Sequence, residues 1–240
     1  TRQGLYDPGY EHDACGIGFV VNIKGRKSHE VVSQSLTVLS NLEHRGGVGY
    51  ERNSGDGAGI LTQIPHKFFI EVCKDFGIKL PGAGDYAVGM AFLPRDPDIC
   101  ATVRGHIEDI ATTMGFAVLG WRDVPVDISS LGFSSRDVMP RIQQLFLTKP
   151  AGISNTLDFE RRLYLFRKKI EKTMMDKDES DEGYCYFVSL SCRTIVYKGM
   201  LTALQLKPFY LDLAHPSFES ALALVDRKST RLNSSHESPS

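Results

Sequence analysis

The residue best placed for chemistry is Cys15, which stands between a polar leader and a glycine-spaced apolar run, residues 15–21 (CGIGFVV). Gly16 and Gly18 leave little side-chain bulk beside the sulfur, so a substrate carbonyl could approach it. Glycine inside a strand also marks the close approach of a ligand or of backbone. Cys15 is therefore a candidate nucleophile, although a buried cysteine that packs as a small hydrophobe fits these residues at least as well.

Two further stretches carry candidate supporting residues. Residues 53–60 (NSGDGAGI) resemble a phosphate loop, but they lack the last glycine of G-x-G-x-x-G and lead into a strand instead of a helix. The simpler interpretation is a tight loop whose glycines supply positive φ, with Asp56 either closing an Asx turn or lining a pocket. Arg45, followed by Gly46, could support the nucleophile or simply complement the end of a helix.

Composition excludes several classes of function. The chain has 240 residues, of which 42% are hydrophobic, and its 28 basic residues balance 29 acidic ones, so neither nucleic acid nor a membrane is an expected partner. The leader lacks the basic and apolar segments of a signal peptide, and we expect a cytoplasmic location. Five cysteines without a C-x-x-C pair indicate reduced thiols, and no histidine spacing suggests a metal site.

Periodicity predicts alternating helices and strands up to about residue 175. A helix capped by Ser28 should run from about His29 to Glu43 and stop at the Gly46-Gly47 pair. Its buried stripe should be Val32, Leu36, Leu39 and Leu42. The other expected helices cover residues 65–76, 98–114 and 158–175, and the expected strands cover residues 16–22, 60–64, 86–93, 116–121 and 141–148.

In the last third of the chain, the sequence pattern predicts a hairpin of residues 184–191 and 194–200, a short strand at 208–213 and a helix from Pro216 to Val225. Strands interrupted by glycine, together with this hairpin, favour a mainly antiparallel sheet and an α+β fold. Residues 227–240 are polar and serine-rich, resemble the translation of a sequencing-adapter read-through and are expected to be an unrelated disordered tail.

Several sequence blocks, in this order, resemble one family. Together they make the chain similar to the amino-terminal glutaminase domain of the glutamate synthase large subunit. The blocks are residues 4–7 (GLYD), 13–19 (DACGIGF), 42–47 (LEHRGG), 54–61 (SGDGAGIL), 63–69 (QIPHKFF), 191–201 (SCRTIVYKGML) and 218–225 (FESALALV).

The resemblance implies a four-layer αββα fold of the N-terminal-nucleophile hydrolases, a class II glutamine amidotransferase incomplete at its C-terminus. Residues 1–14 would be a propeptide, 15–226 a partial amidotransferase domain and 227–240 the tail. Cleavage between Ala14 and Cys15 would free an α-amine that acts as base for the thiol. Glutamine would then be hydrolysed to glutamate and ammonia, which passes to 2-oxoglutarate in the synthase part.

Family members also contain Arg-Phe-Ser-Thr-Asn-Thr and His-Asn-Gly segments, which supply the substrate-carboxylate arginine and the oxyanion-hole donors. Neither segment occurs here, so Arg227 and Lys228 are not assigned as substrate ligands, the substrate-binding residues stay unknown, and the fragment is expected to be inactive alone. FMN and an iron-sulfur cluster are implied only for the full enzyme, whose other synthase domains and possible small reductase subunit are the expected partners.

Two other functions remain open at this point. One is another amidotransferase with a cysteine-first glutaminase domain. The other is a non-catalytic regulatory or nucleotide-binding module built around the glycine loop at residues 55–59.

Overall fold

Two four-stranded antiparallel sheets organise the part of the chain that the computed structural model describes, which is residues 16–43, 53–55, 57–175 and 185–227. The strand order is β1-β8-β2-β7 in the first sheet and β4-β5-β3-β6 in the second. Both the antiparallel pairing and the α+β class are confirmed. The strands are β1 (Gly16–Val21), β2 (Ala58–Gln63), β3 (Tyr86–Leu93), β4 (Val118–Asp123), β5 (Arg141–Thr148), β6 (Tyr186–Ser191), β7 (Thr194–Gly199) and β8 (Leu222–Arg227).

Six α-helices and two short 3₁₀ helices connect the described strands. The helices are α1 (His29–Asn41), α2 (His66–Val72), α3 (Pro97–Thr113), α4 (Phe133–Asp137), α5 (Thr156–Met175) and α6 (Leu206–Phe209), and the 3₁₀ turns are Cys73–Phe76 and Leu211–Ala214. Within the described residues, none of these helices combines the length and the apolar character that crossing a bilayer requires.

Helix α1 forms where its cap and its apolar spacing predict. The Ser28 hydroxyl accepts a hydrogen bond from the Val31 amide at 3.4 Å, which satisfies one of the first-turn donors. Val32, Leu36 and Leu39 are buried against the first sheet. The helix ends at Asn41, before the predicted stop at residues 46–47, which lies outside the described residues.

Helices α3 and α5 cover one face of the second sheet. The Asp96 carboxylate caps α3 by accepting from the amides of Asp98 and Ile99, at 2.9 and 3.0 Å. Apolar side chains from both helices form one core with alternate residues of β3, β5 and β6. The helical members of this core are Val103, Ile107 and Ile110 from α3 and Phe159, Leu163, Phe166 and Ile170 from α5.

The two faces of the first sheet differ in how they are covered. Helix α1 lies against one face, where a Cβ built on Gly18 would approach the Val38 side chain to 2.5 Å. Alternate residues point the other way, and there Ile17 and Phe19 are 63% and 67% exposed. We call the first the covered face, which carries Ile60, Ala223 and Val225, and the second the open face, which carries Ile17, Phe19, Val21 and Leu224.

A buried polar cluster joins the two sheets, and we call it the junction cluster. Arg122 of β4 forms two hydrogen bonds of 2.8 Å with the Asp212 carboxylate and a third with Gln144 of β5. The Tyr197 hydroxyl of β7 donates to Asp212 at 2.8 Å and accepts from Gln144 at 2.9 Å. Burial acts to lower the pKa of Arg122, but the hydrogen bonds and charge of Asp212 raise it above its ordinary value.

The predicted hairpin of β6 and β7 is wrong. The two strands follow each other closely, but β6 pairs with β3 in the second sheet and β7 pairs with β2 in the first. Serine hydroxyls intervene between them, because Ser189 Oγ accepts from the Val196 amide and Ser191 Oγ from the Thr194 amide, both at 3.1 Å. These side-chain acceptors replace the backbone ladder that a hairpin would need.

The predicted elements after residue 207 are also wrong. Residues 208–213 fall in α6 and the following 3₁₀ turn instead of a strand, and the predicted helix from Pro216 to Val225 is replaced by β8, which lies between β1 and β2. Pairing on both edges overrides the helical preference of its alanine and leucine residues. Arg227, predicted to lie in the tail, is the last residue of β8 and is buried, while residues 228–240 lie outside the described part.

Candidate active site

The residues predicted to carry the chemistry lie just outside the described segments. Cys15 and Ala14 immediately precede β1, Arg45 and Gly46 follow α1, and Asp56 interrupts the glycine loop. The structure therefore assigns no geometry to any of these five. It does describe the neighbouring backbone. Strand β1 follows Cys15 directly, and Gly55 and Gly57 flank Asp56.

The end of the first sheet next to Cys15 is a row of paired residues across all four strands. Gly16 pairs with Arg227, Arg227 pairs with Ala58, and Ala58 pairs with Gly199. Gly16, Arg227 and Ala58 are buried. A Cβ on Gly16 would lie 3.4 Å from the Leu42 side chain, so the first residue of β1 is packed closely against the residue that follows α1. The start of β1 is thus held from the side by β8 and from one face by Leu42.

The glycine loop leading into β2 packs closely against the backbone that follows β7. A Cβ on Gly55 would lie 2.4 Å from the carbonyl carbon of Leu201, so only glycine fits against this backbone. Gly57 has φ of 144°, a conformation that side chains disfavour. The interpretation of this loop as a tight, backbone-pressing turn is confirmed at these two glycines. The loop enters the strand β2, which is unlike the helix entrance that phosphate loops use.

A groove of about 520 Å³ runs along the open face beside this row. Asp226, Lys198 and Met200 line it together with the loop residue Gly57. Asp226 and Arg227 were missed as site neighbours because their position depends on β8 pairing with β1 and β2. The local signal for β8 was the short length of its apolar run, which lies between Pro216 and charged residues. A run of that length fits a buried strand as well as a helix.

The four cysteines within the described residues are poor nucleophiles. Each one is buried, and burial raises the pKa of each thiol, to about 12 for Cys73, Cys185 and Cys192. The thiolate is the reactive form of cysteine, so these side chains stay protonated and inert near neutral pH. Of the five cysteines in the sequence, the fifth is Cys15.

Metal or cluster ligation finds no support in the described ranges. No group of three or more histidine, cysteine, aspartate or glutamate side chains there is arranged to hold a metal ion.

Comparison with known proteins identifies the family. The profile of the class-II glutamine amidotransferases matches residues 15–235, beginning at Cys15. The glutamate synthase [NADPH] large chain of Bacillus subtilis (strain 168) is 43% identical over 224 residues, which is 93% of this chain and 14% of that protein. The ferredoxin-dependent glutamate synthase 2 of Synechocystis sp. is 38% identical over 218 residues, or 91% of this chain and 14% of that protein.

A third relative has a similar identity and a similar coverage of the two chains. The glutamate synthase [NADH] of Schizosaccharomyces pombe is 37% identical over 228 residues, which is 93% of this chain and 11% of that protein. The chain thus spans between 11% and 14% of the length of these three relatives. The chain belongs to the class-II glutamine amidotransferases.

Proposed function

We propose that this chain is the glutaminase part of a glutamate synthase and that Cys15 is its nucleophile. The observation that carries the proposal is the family match, which begins at residue 15 and extends through β8. The named relatives, all glutamate synthases, support the same assignment. The other four cysteines are buried and protonated, which leaves Cys15 as the thiol available for catalysis.

The base for this thiol would be the α-amine of Cys15 itself. While Ala14 is attached, the Cys15 nitrogen is an amide and has no basicity, so residues 1–14 must be removed first. A free α-amine has a pKa of roughly 7.7 to 8, so near neutral pH a useful fraction is unprotonated and can accept the thiol proton. A histidine partner is then unnecessary.

The reaction would proceed through a thioester. The sulfur attacks the side-chain amide carbon of glutamine, and the carbon–nitrogen bond breaks as the departing nitrogen takes up the proton that the thiol gave to the amine. Ammonia leaves, and a water molecule then attacks the thioester carbon. The carbon–sulfur bond breaks, glutamate is released, and the thiol regains its proton.

The described backbone suits this role. Gly16 places no side chain beside the sulfur, and its pairing with Arg227 fixes the strand that carries the nucleophile. Gly55 and Gly57 keep the neighbouring loop close to the end of β7. Such fixed positioning is what an intramolecular base and nucleophile require, because small misplacements cost large factors in rate.

In the same proposal, the steps that use the released ammonia take place in the synthase domains, which correspond to the parts of the relatives that this chain does not match. Ammonia would pass to a synthase site and react there with 2-oxoglutarate, and FMN, fed through an iron-sulfur cluster, would pass on the electrons of NADPH, NADH or ferredoxin. The other synthase domains are therefore the proposed partners, with a small reductase subunit as a further one.

Intact-mass analysis combined with covalent labelling tests the nucleophile. We expect a processed form that lacks residues 1–14 and that gains one adduct from a glutamine-mimicking electrophile. Cys15→Ala should abolish the adduct, whereas the matched variant Cys100→Ala should retain it, because the Cys100 thiol is buried in α3. An adduct that persists in Cys15→Ala would refute the assignment.

A further inference from the structure

The far end of the first sheet carries a second cavity, remote from the nucleophile. It has a volume of about 280 Å³ and lies where β2 ends, α2 begins and β6 passes into β7. From Ala58 to Gln63, β2 rises about 17 Å at the usual spacing per residue, so this cavity and the Cys15 end of the strand are well separated. The polar lining residues are Lys27, Gln63, His66, Tyr86, Cys192 and Arg193.

The two charged residues that line this cavity are both cations. Lys27 and Arg193 both line it and are otherwise exposed, and within the described part of the chain neither side chain forms an ion pair. Carboxylates on adjoining segments are already engaged. Glu160 accepts from Ser191 and Cys192, Asp85 pairs with Lys149, and Glu219 pairs with Lys67. The two cations are therefore available to a ligand.

His66 and Tyr86 add a hydrogen-bonded polar pair to this cavity. The His66 Nδ1 atom lies 3.0 Å from the Tyr86 hydroxyl. Tyr86 is buried, and burial raises the pKa of its hydroxyl, so the hydroxyl keeps its proton and can donate it to Nδ1. Burial first, and then the charge of Lys27, lower the pKa of His66, so the ring is neutral near pH 7. A neutral ring that accepts at Nδ1 carries its proton on Nε2 and can donate there.

We propose that this cavity is a binding site for a small oxyanion, a carboxylate or a phosphate, held by Arg193, Lys27 and the His66 ring. A planar guanidinium matches the two oxygens of either group, and an ammonium adds charge without a fixed direction. The site lies at the opposite end of β2 from the row of paired residues that includes Gly16.

Titration of the chain with inorganic phosphate and, separately, with glutarate tests the site. We expect saturable shifts of the His66 ring resonances with at least one of the two anions. Arg193→Gln should weaken binding about tenfold or more, since a hydrogen bond to a charged group is lost, and Lys27→Gln should weaken it by a smaller factor. Tighter binding of phosphate would identify a phosphoryl ligand, and tighter binding of glutarate a carboxylate ligand.

The matched controls are Arg26→Gln and Lys24→Gln, which remove the same charges from neighbouring exposed positions outside the cavity. Both controls should bind like the parent chain. The proposal is overturned if neither anion shifts the His66 resonances at up to tens of millimolar, or if Arg26→Gln weakens binding as much as Arg193→Gln does. The titration of the unmodified chain is sufficient for the first of these tests, so a variant that fails to fold does not affect its result.

Discussion

The junction cluster and the open face reverse the usual placement of polar and apolar side chains. At the junction, the charged groups of Arg122 and Asp212 are only 3% and 2% exposed, whereas on the open face Phe19 is 67% exposed. The junction tolerates burial because each of its charges is hydrogen-bonded. The open face contributes little to the free energy of folding, because its apolar area remains in water. The two regions therefore differ in whether their side chains are buried, and residue type alone does not predict which of them is.

Removing one partner at the junction should have the largest effect. Asp212→Ala leaves the Arg122 charge buried without its carboxylate, and we expect the free energy of unfolding to fall by about 3 to 5 kcal/mol in urea denaturation. The control is Asp85→Ala, which breaks the partly exposed pair with Lys149 and should cost less than about 1 kcal/mol. Equal losses in the two variants would mean that the junction pair does not stabilise the two sheets.

Two neighbouring residues of β8 compare the faces of the first sheet directly. Val225 is fully buried on the covered face, and Leu224 is 39% exposed on the open face. Val225→Ala should lower the free energy of unfolding by about 2 kcal/mol through lost burial and a residual cavity. Leu224→Ala removes a larger side chain but should cost less than about 1 kcal/mol. The two denaturation midpoints check this order, and a larger loss for Leu224→Ala would contradict the assignment of the faces.

Elements with complete local signals were predictable from the sequence. Strands β3 and β5 match their predicted bounds to the residue. Strand β3 is an apolar run with clear limits, and β5 contains the apolar stretch Leu145 to Leu147. Helix α3 begins where Asp96 caps it, and α1 begins where Ser28 does. In these segments the residues that set the boundary lie inside or next to the element itself.

Elements that depend on distant partners were not predictable. Strand β8 has a helix-like composition and becomes a strand only because β1 and β2 flank it. The pairing of Arg122 with Asp212 joins residues 90 positions apart, which no local pattern indicates. For the same reason the sequence drew attention to Cys15 and the glycine loop, whose signals are local, and missed the paired row that includes Arg227.

The buried thiols make the stability of the folded chain sensitive to alkaline pH. Cys73 is fully buried and its pKa is raised to about 12 from an ordinary value of 9.0. Between these values the unfolded chain has lost the proton and the folded chain has kept it. The unfolded state then binds fewer protons, so stability is present below pH 9 and is lost as the pH rises toward 12.

We therefore expect Cys73→Ala to lessen the fall in stability between pH 8 and 9.5 by on the order of 1 kcal/mol or less. Urea denaturation at the two pH values measures this difference. Ser33→Ala, at a partly exposed position of α1 without a titratable group, serves as the control and should leave the pH dependence unchanged. A Cys73→Ala variant whose stability falls as steeply as that of the parent chain would show that this thiol does not titrate differently on unfolding.

The smallest change in stability should come from the open face itself. Phe19→Thr keeps a residue that favours strands and removes exposed apolar area, so the free energy of unfolding should change by only about 0.5 kcal/mol. Binding of a hydrophobic dye should fall at the same time, because large exposed apolar patches attract such ligands. Val225→Thr places the same residue on the covered face and should cost several times more, since its hydroxyl would be buried. If Phe19→Thr destabilised the chain as much as Val225→Thr, the open face would be buried in solution, and sedimentation at increasing concentration would show whether a second copy covers it.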